Sequence, residues 1–162
     1  YHKKKNHVNA FLKEYEGRYE YRALTPADKG TIWQFLNRWE NGKSDDVGQH
    51  LEGEIVGIHE LLNNLDKINA KIAGVFIDGQ LEAFTVGSYN PTDRMAVIHI
   101  EKANADIRGL YTFINQQFLV HEFADAVLVN REDDVGMEAL RKAKQSYHPI
   151  MMVRKFSMQQ KR

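Results

Sequence analysis

The chain has 162 residues, 43% of them hydrophobic and 27% charged, with 22 basic side chains balancing 22 acidic ones; this is the profile of one globular domain rather than a fibrous or disordered segment. It contains no cysteine, which excludes disulfide scaffolds, thiolate zinc sites and cysteine nucleophiles and makes the cytoplasm the default compartment. Its apolar runs, such as 73–77 and 126–129, fall far short of the roughly 20 residues that a membrane-spanning helix requires.

The chain opens at Tyr1 on a helical pattern already under way. Val8, Phe11, Leu12 and Tyr15 recur at i, i+3, i+4 and i+7, one apolar stripe on a 3.6-residue period. A helix without a cap at residue 1 suggests a chain cut from something longer. Gly17 breaks the pattern, and 18–24 alternates as a strand with Tyr19, Tyr21 and Ala23 on one face. Thr25 then offers an N-cap, Pro26 sits where its missing N–H costs nothing, and Asp28 three residues on completes a capping-box-like signal. Ile32, Phe35, Leu36 and Trp39 supply the buried stripe of the helix that follows, which predicts Phe35 and a tryptophan, Trp33 or Trp39, in the core. The polar stretch 41–48 reads as a loop.

A second helix is predicted over 49–69 from Ile55, Ile58, Leu61, Leu62, Leu65 and Ile68, weakened in its first half by Gly53 and Gly57. Two apolar, β-branched runs, 72–77 and 81–87, flank Asp78-Gly79-Gln80 and predict a hairpin. A turn over 89–93 leads to a third strand, 95–101, whose strict alternation puts Val97, His99 and Glu101 on one face. From Asp106, the expected N-cap, Leu110, Phe113, Ile114, Gln117, Phe118 and His121 mark another helix. A short, fully apolar buried strand over 126–129, an acidic loop, a helix over 135–145 and a last strand over 149–156 complete the chain.

The order α-β-α-α-β-β-β-α-β-α-β implies an α/β (α+β) fold, a mixed central sheet with helices on both faces. That order resembles the GNAT superfamily of acyltransferases. Three stretches resemble more closely the bacterial family named for the C-terminal domain of phosphatidylglycerol lysyltransferases, whose largely uncharacterised members contain two GNAT-like halves. They are Tyr1 to Phe11 (YHKKKNHVNAF), Ile100 to Tyr111 (IEKANADIRGLY), and Asn130 to Met137 (NREDDVGM) running on through 140–149 (LRKAKQSYHP). On this resemblance, residues 1–16 are a linker helix and 17–162 a GNAT-like domain, the second half of a longer chain. It implies aminoacyl (lysyl) transfer from aminoacyl-tRNA to a lipid or another amine or hydroxyl acceptor, with an N-terminal GNAT-like half of the same chain as partner. Two alternatives stand beside it: a noncatalytic binding half, and an N-acyltransferase that uses acyl-CoA.

The candidate chemistry follows the same positions. Glu101, at a strand end, is placed to act as general base toward an attacking amine, with His99 two residues earlier. Arg108 and Gly109 open a helix whose free N–H groups suit a phosphate, as in a cofactor site. Asn130 and Arg131 follow a strand at its C-terminal end, where such sheets place ligand loops, and Tyr147 could donate its phenolic proton to a leaving group. A single glycine at the helix start counts against CoA, since CoA-dependent relatives carry a glycine-richer loop. Charge is also segregated: residues 1–13 carry +4 and 139–162 carry +7, leaving −11 between them. Lys4, Lys142, Lys144 and Lys155 are therefore the expected contacts for the phosphates of a donor such as tRNA. No metal is expected.

Overall fold

The computed structural model describes residues 2–41, 48–65, 67–154, 156 and 158. The expected loop over 41–48 and Lys155 therefore fall wholly or largely outside the described residues. The chain divides into two compact units, Tyr1–Glu132 and Asp133–Arg162. The first contains α1 (His2–Glu14), β1 (Tyr19–Ala23), a 3-10 turn at Pro26–Asp28, α2 (Lys29–Asn41), α3 (Gly48–Asn63), β2 (Lys71–Ile77), β3 (Gln80–Asn90), β4 (Met95–Ala103), α4 (Leu110–Glu122) and β5 (Leu128–Asn130). The second contains α5 (Glu138–Gln145).

The five strands form one sheet in chain order. Three antiparallel pairings are followed by one parallel pairing, between β4 and β5. The β2–β3 connection is the expected two-residue turn, with Asp78 at φ +50° and Gly79 at φ +81°, the double left-handed conformation whose twist matches a hairpin. Each face of the sheet is covered. Ile72, Phe76, Phe84 and Val86 point to α2 and α3, where they bury Ile32, Phe35, Leu36, Ile58 and Leu62. Ala73, Val75, Ile77 and Ala83 point the other way, under α1 and α4, with Phe11, Phe113 and Phe118 fully buried. Trp33 and Trp39 only border the core; the Trp39 indole N–H donates to the Ala103 carbonyl at 3.1 Å, so its polar edge sits at the sheet margin.

Two bulges interrupt the ladder. One inserts Glu82 between Val75↔Ala83 and Phe76↔Leu81. The other inserts His99 on β4, since Val86 faces Ile100 while Gly87 faces Ile98. An extra residue reverses the facing of everything beyond it. The alternation expected for this strand therefore fails at His99: Glu101 lies on the α4 face, while His99 does not share it.

Other boundaries differ for local reasons. α4 begins at Leu110, with Gly109 at φ +87° as its N-cap, because Asp106 is spent in a turn whose N–H donates to Asn104 Oδ1. β5 is an exposed edge strand, not a buried one, since among the described residues it has a neighbouring strand on one side only; Val129 is 43% exposed. The final expected strand does not form among the described residues of 149–156: Ile150, Met151, Met152 and Val153 are exposed and unpaired with any strand. An isolated extended segment has no ladder to satisfy its backbone. In the second unit α5 buries none of its residues.

A Cβ at Gly109 would lie 2.2 Å from the His7 carbonyl oxygen, whereas, its chain neighbours aside, none of the described residues comes within 4 Å of one at Gly17, which is also at positive φ. Gly109→Ala is expected to cost about 3 kcal/mol or more in urea denaturation and Gly17→Ala only about 1 kcal/mol, the backbone strain alone. Asp28 accepts from the Thr25 N–H at 2.9 Å and from Arg22 at 2.9 Å, which hold its carboxyl below the ordinary range. A depressed folded-state value stabilises the fold above the unfolded value and is lost as pH falls through the folded one. Asp28→Asn should therefore flatten the acid limb of stability below about pH 4, read from urea midpoints across that range.

Candidate functional site

β4 and β5 pair only over Met95↔Leu128, Ala96↔Val129 and Val97↔Asn130. Beyond Val97, β4 runs on for six residues with no strand beside it on that side among the described residues, so the sheet splits along its edge. Parallel strands that separate leave main-chain N–H and C=O groups facing the gap, able to accept an extended polar ligand as a further strand would.

Side chains gather at the α4 face of this split. Glu101 Oε1 accepts from Arg131 Nη2 at 2.7 Å, and its Oε2 accepts from Asn115 Nδ2 on α4, also at 2.7 Å. The side chains of Glu101 and Arg131 are 11% and 20% exposed, so the pair is largely withdrawn from water. The pair also crosses from β4 to the end of β5 just where backbone bonding stops. Lys4 on α1 approaches the same two groups; burial and the Arg131 charge lower its pKa, and Glu101 partly opposes them. The cluster combines one anion with two cations and an amide.

Behind it, the β4–α4 turn is held by the bulge residue of β3, Glu82. Glu82, 8% exposed, accepts from Asn104 Nδ2 at 2.9 Å and from Gln80 at 2.6 Å. Gly109 is enclosed by α1 main chain, and Arg108 is exposed with no hydrogen bond or ion pair among the described residues. CoA would need a diphosphate cradle at this helix start. The residues do not fit one, because the space beside Gly109 is filled by a carbonyl oxygen, which repels phosphate, and exposed Asp106 adds a second negative group.

On the other side of β4, the bulge residue His99 places Nε2 2.8 Å from Ser88 Oγ and Nδ1 3.6 Å from Glu132 Oε1. The Asn130 side-chain oxygen caps its own loop, accepting from the Glu132 N–H at 2.8 Å. Glu101, Arg131 and Lys4 thus come together, Asn130 adjoins them in sequence, and Arg108 is not bonded to them. Asn115, Ser88 and Glu132 are partners that sequence reasoning missed: the helical stripe from Leu110 to His121 leaves Asn115 out, although it is buried, and only the bulge register brings Ser88 to His99.

Within the second unit the expected Lys142 and Lys144, and Arg141 beside them, meet local acids or a carbonyl. Arg141 forms a two-pronged bond to Asp134 at 2.6 and 3.1 Å, Lys142 pairs with Glu138 at 2.6 Å, and Lys144 donates to the Asp133 carbonyl. Tyr147 is half-buried, its N–H on the Lys144 carbonyl at 3.1 Å. Among the described residues, no group of three or more His, Asp and Glu could hold a metal ion, and no helix is long and apolar enough to cross a membrane.

Comparison with known proteins bears on this arrangement. The family model described as phosphatidylglycerol lysyltransferase, C-terminal, matches residues 1–159. An uncharacterized protein of Mycoplasmoides gallisepticum is 26% identical over 155 residues, 95% of this chain and 49% of that protein. The crystal structure of a conserved protein of unknown function from Bacteroides thetaiotaomicron superposes with a TM-score of 0.85 at 30% identity, covering 93% of this chain and 50% of that one. A ribosomal-protein-alanine N-acetyltransferase from Brucella melitensis aligns over 90% of this chain and 99% of its own, with a TM-score of 0.55 and 16% identity, a likeness of fold. The chain spans about half the length of the first two relatives.

Removing Arg131 leaves a largely buried carboxylate with one partner fewer. Arg131→Ala should lower unfolding stability by about 1–3 kcal/mol, and adding Glu101→Gln should restore part of it. Lys142→Ala, on an exposed pair, should stay within about 0.5 kcal/mol. Urea midpoints of the four proteins check this.

Proposed function

Because the chain belongs to the phosphatidylglycerol lysyltransferase C-terminal family, we propose that this acyltransferase-type domain moves an aminoacyl group from aminoacyl-tRNA to an amine or hydroxyl acceptor such as a lipid head group. The domain works, on this reading, beside an N-terminal half of the same chain. The observation that carries the proposal is the split β4–β5 edge with Lys4, Glu101, Asn115 and Arg131 gathered at its mouth.

An aminoacyl ester has three features to recognise: an ester carbonyl, an ammonium group beside it, and the phosphates of the nucleic acid. The open main chain of β4 suits the carbonyl. The Glu101 carboxylate is a negatively charged group that only accepts hydrogen bonds, which suits an ammonium. Arg131 and Asn115 hold that carboxylate in place at 2.7 Å each, either to bind the ammonium or to take a proton from an attacking amine. Lys4 and its neighbours Lys3 and Lys5 supply charge for phosphates. Lys142 and Lys144 carry the same expectation, as does Tyr147 for the leaving group. The crowding at Gly109 favours this donor over acyl-CoA.

Aminoacyl-tRNA is expected to bind the chain in filter-binding titrations. The affinity should fall roughly tenfold or more between 50 and 200 mM salt and weaken several-fold in Lys4→Gln with the urea midpoint nearly unchanged. CoA should leave the melting temperature unmoved. Stabilisation by CoA, or no tRNA binding at low salt, would overturn the proposal, the latter in favour of a noncatalytic half.

A further inference from the structure

From the geometry at the β4 bulge we infer that Ser88, His99 and Glu132 form a nucleophilic triad, through which this domain can carry an acyl group covalently on Ser88. The inference rests on the acyl-transfer reading above and adds a route to it. Ser88 lies near the end of β3, opposite Val97. The inserted residue His99 points its Nε2 at the Ser88 hydroxyl, 2.8 Å away, and its Nδ1 at the Glu132 carboxylate, 3.6 Å away. This is the nucleophile, base and orienting-acid order that activated serines share on unrelated folds. The second distance is longer than a hydrogen bond, the looser spacing that such contacts show before substrate arrives.

The three groups also lie where an acyl donor would be. His99 sits two residues beyond Val97, the last β4 residue paired with β5, and Glu132 two residues beyond Asn130, its partner. Side-chain exposure of 36% for His99 and 38% for Glu132 leaves the base reachable. Glu132 is held in the left-handed region at φ +56°, its N–H bonded to the Asn130 side chain; this fixes the turn from which its carboxylate reaches His99. A non-glycine residue held there stores backbone strain of the kind that accompanies functional positions.

The chemistry balances without a cofactor. Ser88 Oγ attacks the carbonyl of an activated acyl ester while His99 Nε2 takes the hydroxyl proton; the ester C–O bond breaks, and that proton passes to the departing oxygen. An amine, alcohol or water then attacks the serine ester, gives its proton to His99, and Ser88 leaves with it. Glu132 stabilises the imidazolium between the two transfers.

The test is covalent labelling of the chain with a fluorophosphonate and, separately, with p-nitrophenyl acetate, followed by peptide mass mapping. Label should appear on the peptide containing Ser88 and be absent in Ser88→Ala. The labelling rate should fall on the order of a hundredfold or more in His99→Asn and several-fold in Glu132→Gln. Urea midpoints near the parent's confirm that each variant folds. Label on other residues, no label on the parent, or an unchanged rate in His99→Asn would overturn the triad. Titration of Ser88→Ala with aminoacyl-tRNA separates the two claims: binding retained with no labelling of the parent sinks only the covalent route, whereas a parent that binds no donor sinks the acyl-transfer reading.

Discussion

One inserted residue in β4 decides where two polar clusters of this domain sit. Opposite Gly87 the ladder steps from Val86↔Ile100 to Gly87↔Ile98, and His99 is left over. The step is possible because position 87 has no side chain: a Cβ there would meet the Val97 carbonyl at 2.8 Å and the Phe118 ring at 2.9 Å. The buried Thr85 hydroxyl donates to the Ile100 carbonyl at 2.8 Å, which satisfies a backbone group next to the disruption. Downstream, Glu101 turns to α4 and Arg131; at the bulge itself, His99 turns to Ser88. Two polar clusters on two sides of one strand follow from a single extra residue.

The packing of α1 is the second constraint. Its Val8 and Phe11 are buried, with Phe11 stacked on Phe113 at 4.4 Å between ring centroids. That packing brings the His7 carbonyl against Gly109 and Lys4 within electrostatic reach of Glu101 and Arg131. The same helix thus removes room for a diphosphate at the start of α4 and contributes a cation at the mouth of the split.

The basic C-terminal segment behaves differently from its formal charge. Arg141, Lys142 and Lys144 each engage a local acid or carbonyl within the second unit. These contacts are exposed and compete with solvent, so they moderate rather than cancel the potential that the run of basic residues creates.

Much of this protein is set by sequence alone, because the relevant signals are local. The Asp78-Gly79 turn, the apolar stripes of α1, α2 and α4, the Thr25–Asp28 capping contacts and the element order up to α5 follow from periods and turn residues separated by only a few positions. So did the family resemblance, carried by contiguous stretches. The positions that mattered for the site were not local. Alternation along 95–101 cannot reveal a bulge whose cause lies on β3, nor can helix periodicity show that Asn115 faces a carboxylate or that Gly109 is crowded by a helix a hundred residues away. Whether 149–156 becomes a strand depends on a partner edge, not on its β-branched and apolar content. Tertiary packing alone decides which face a side chain takes after a register shift and which groups share a gap, since both depend on strands and helices meeting across the sheet.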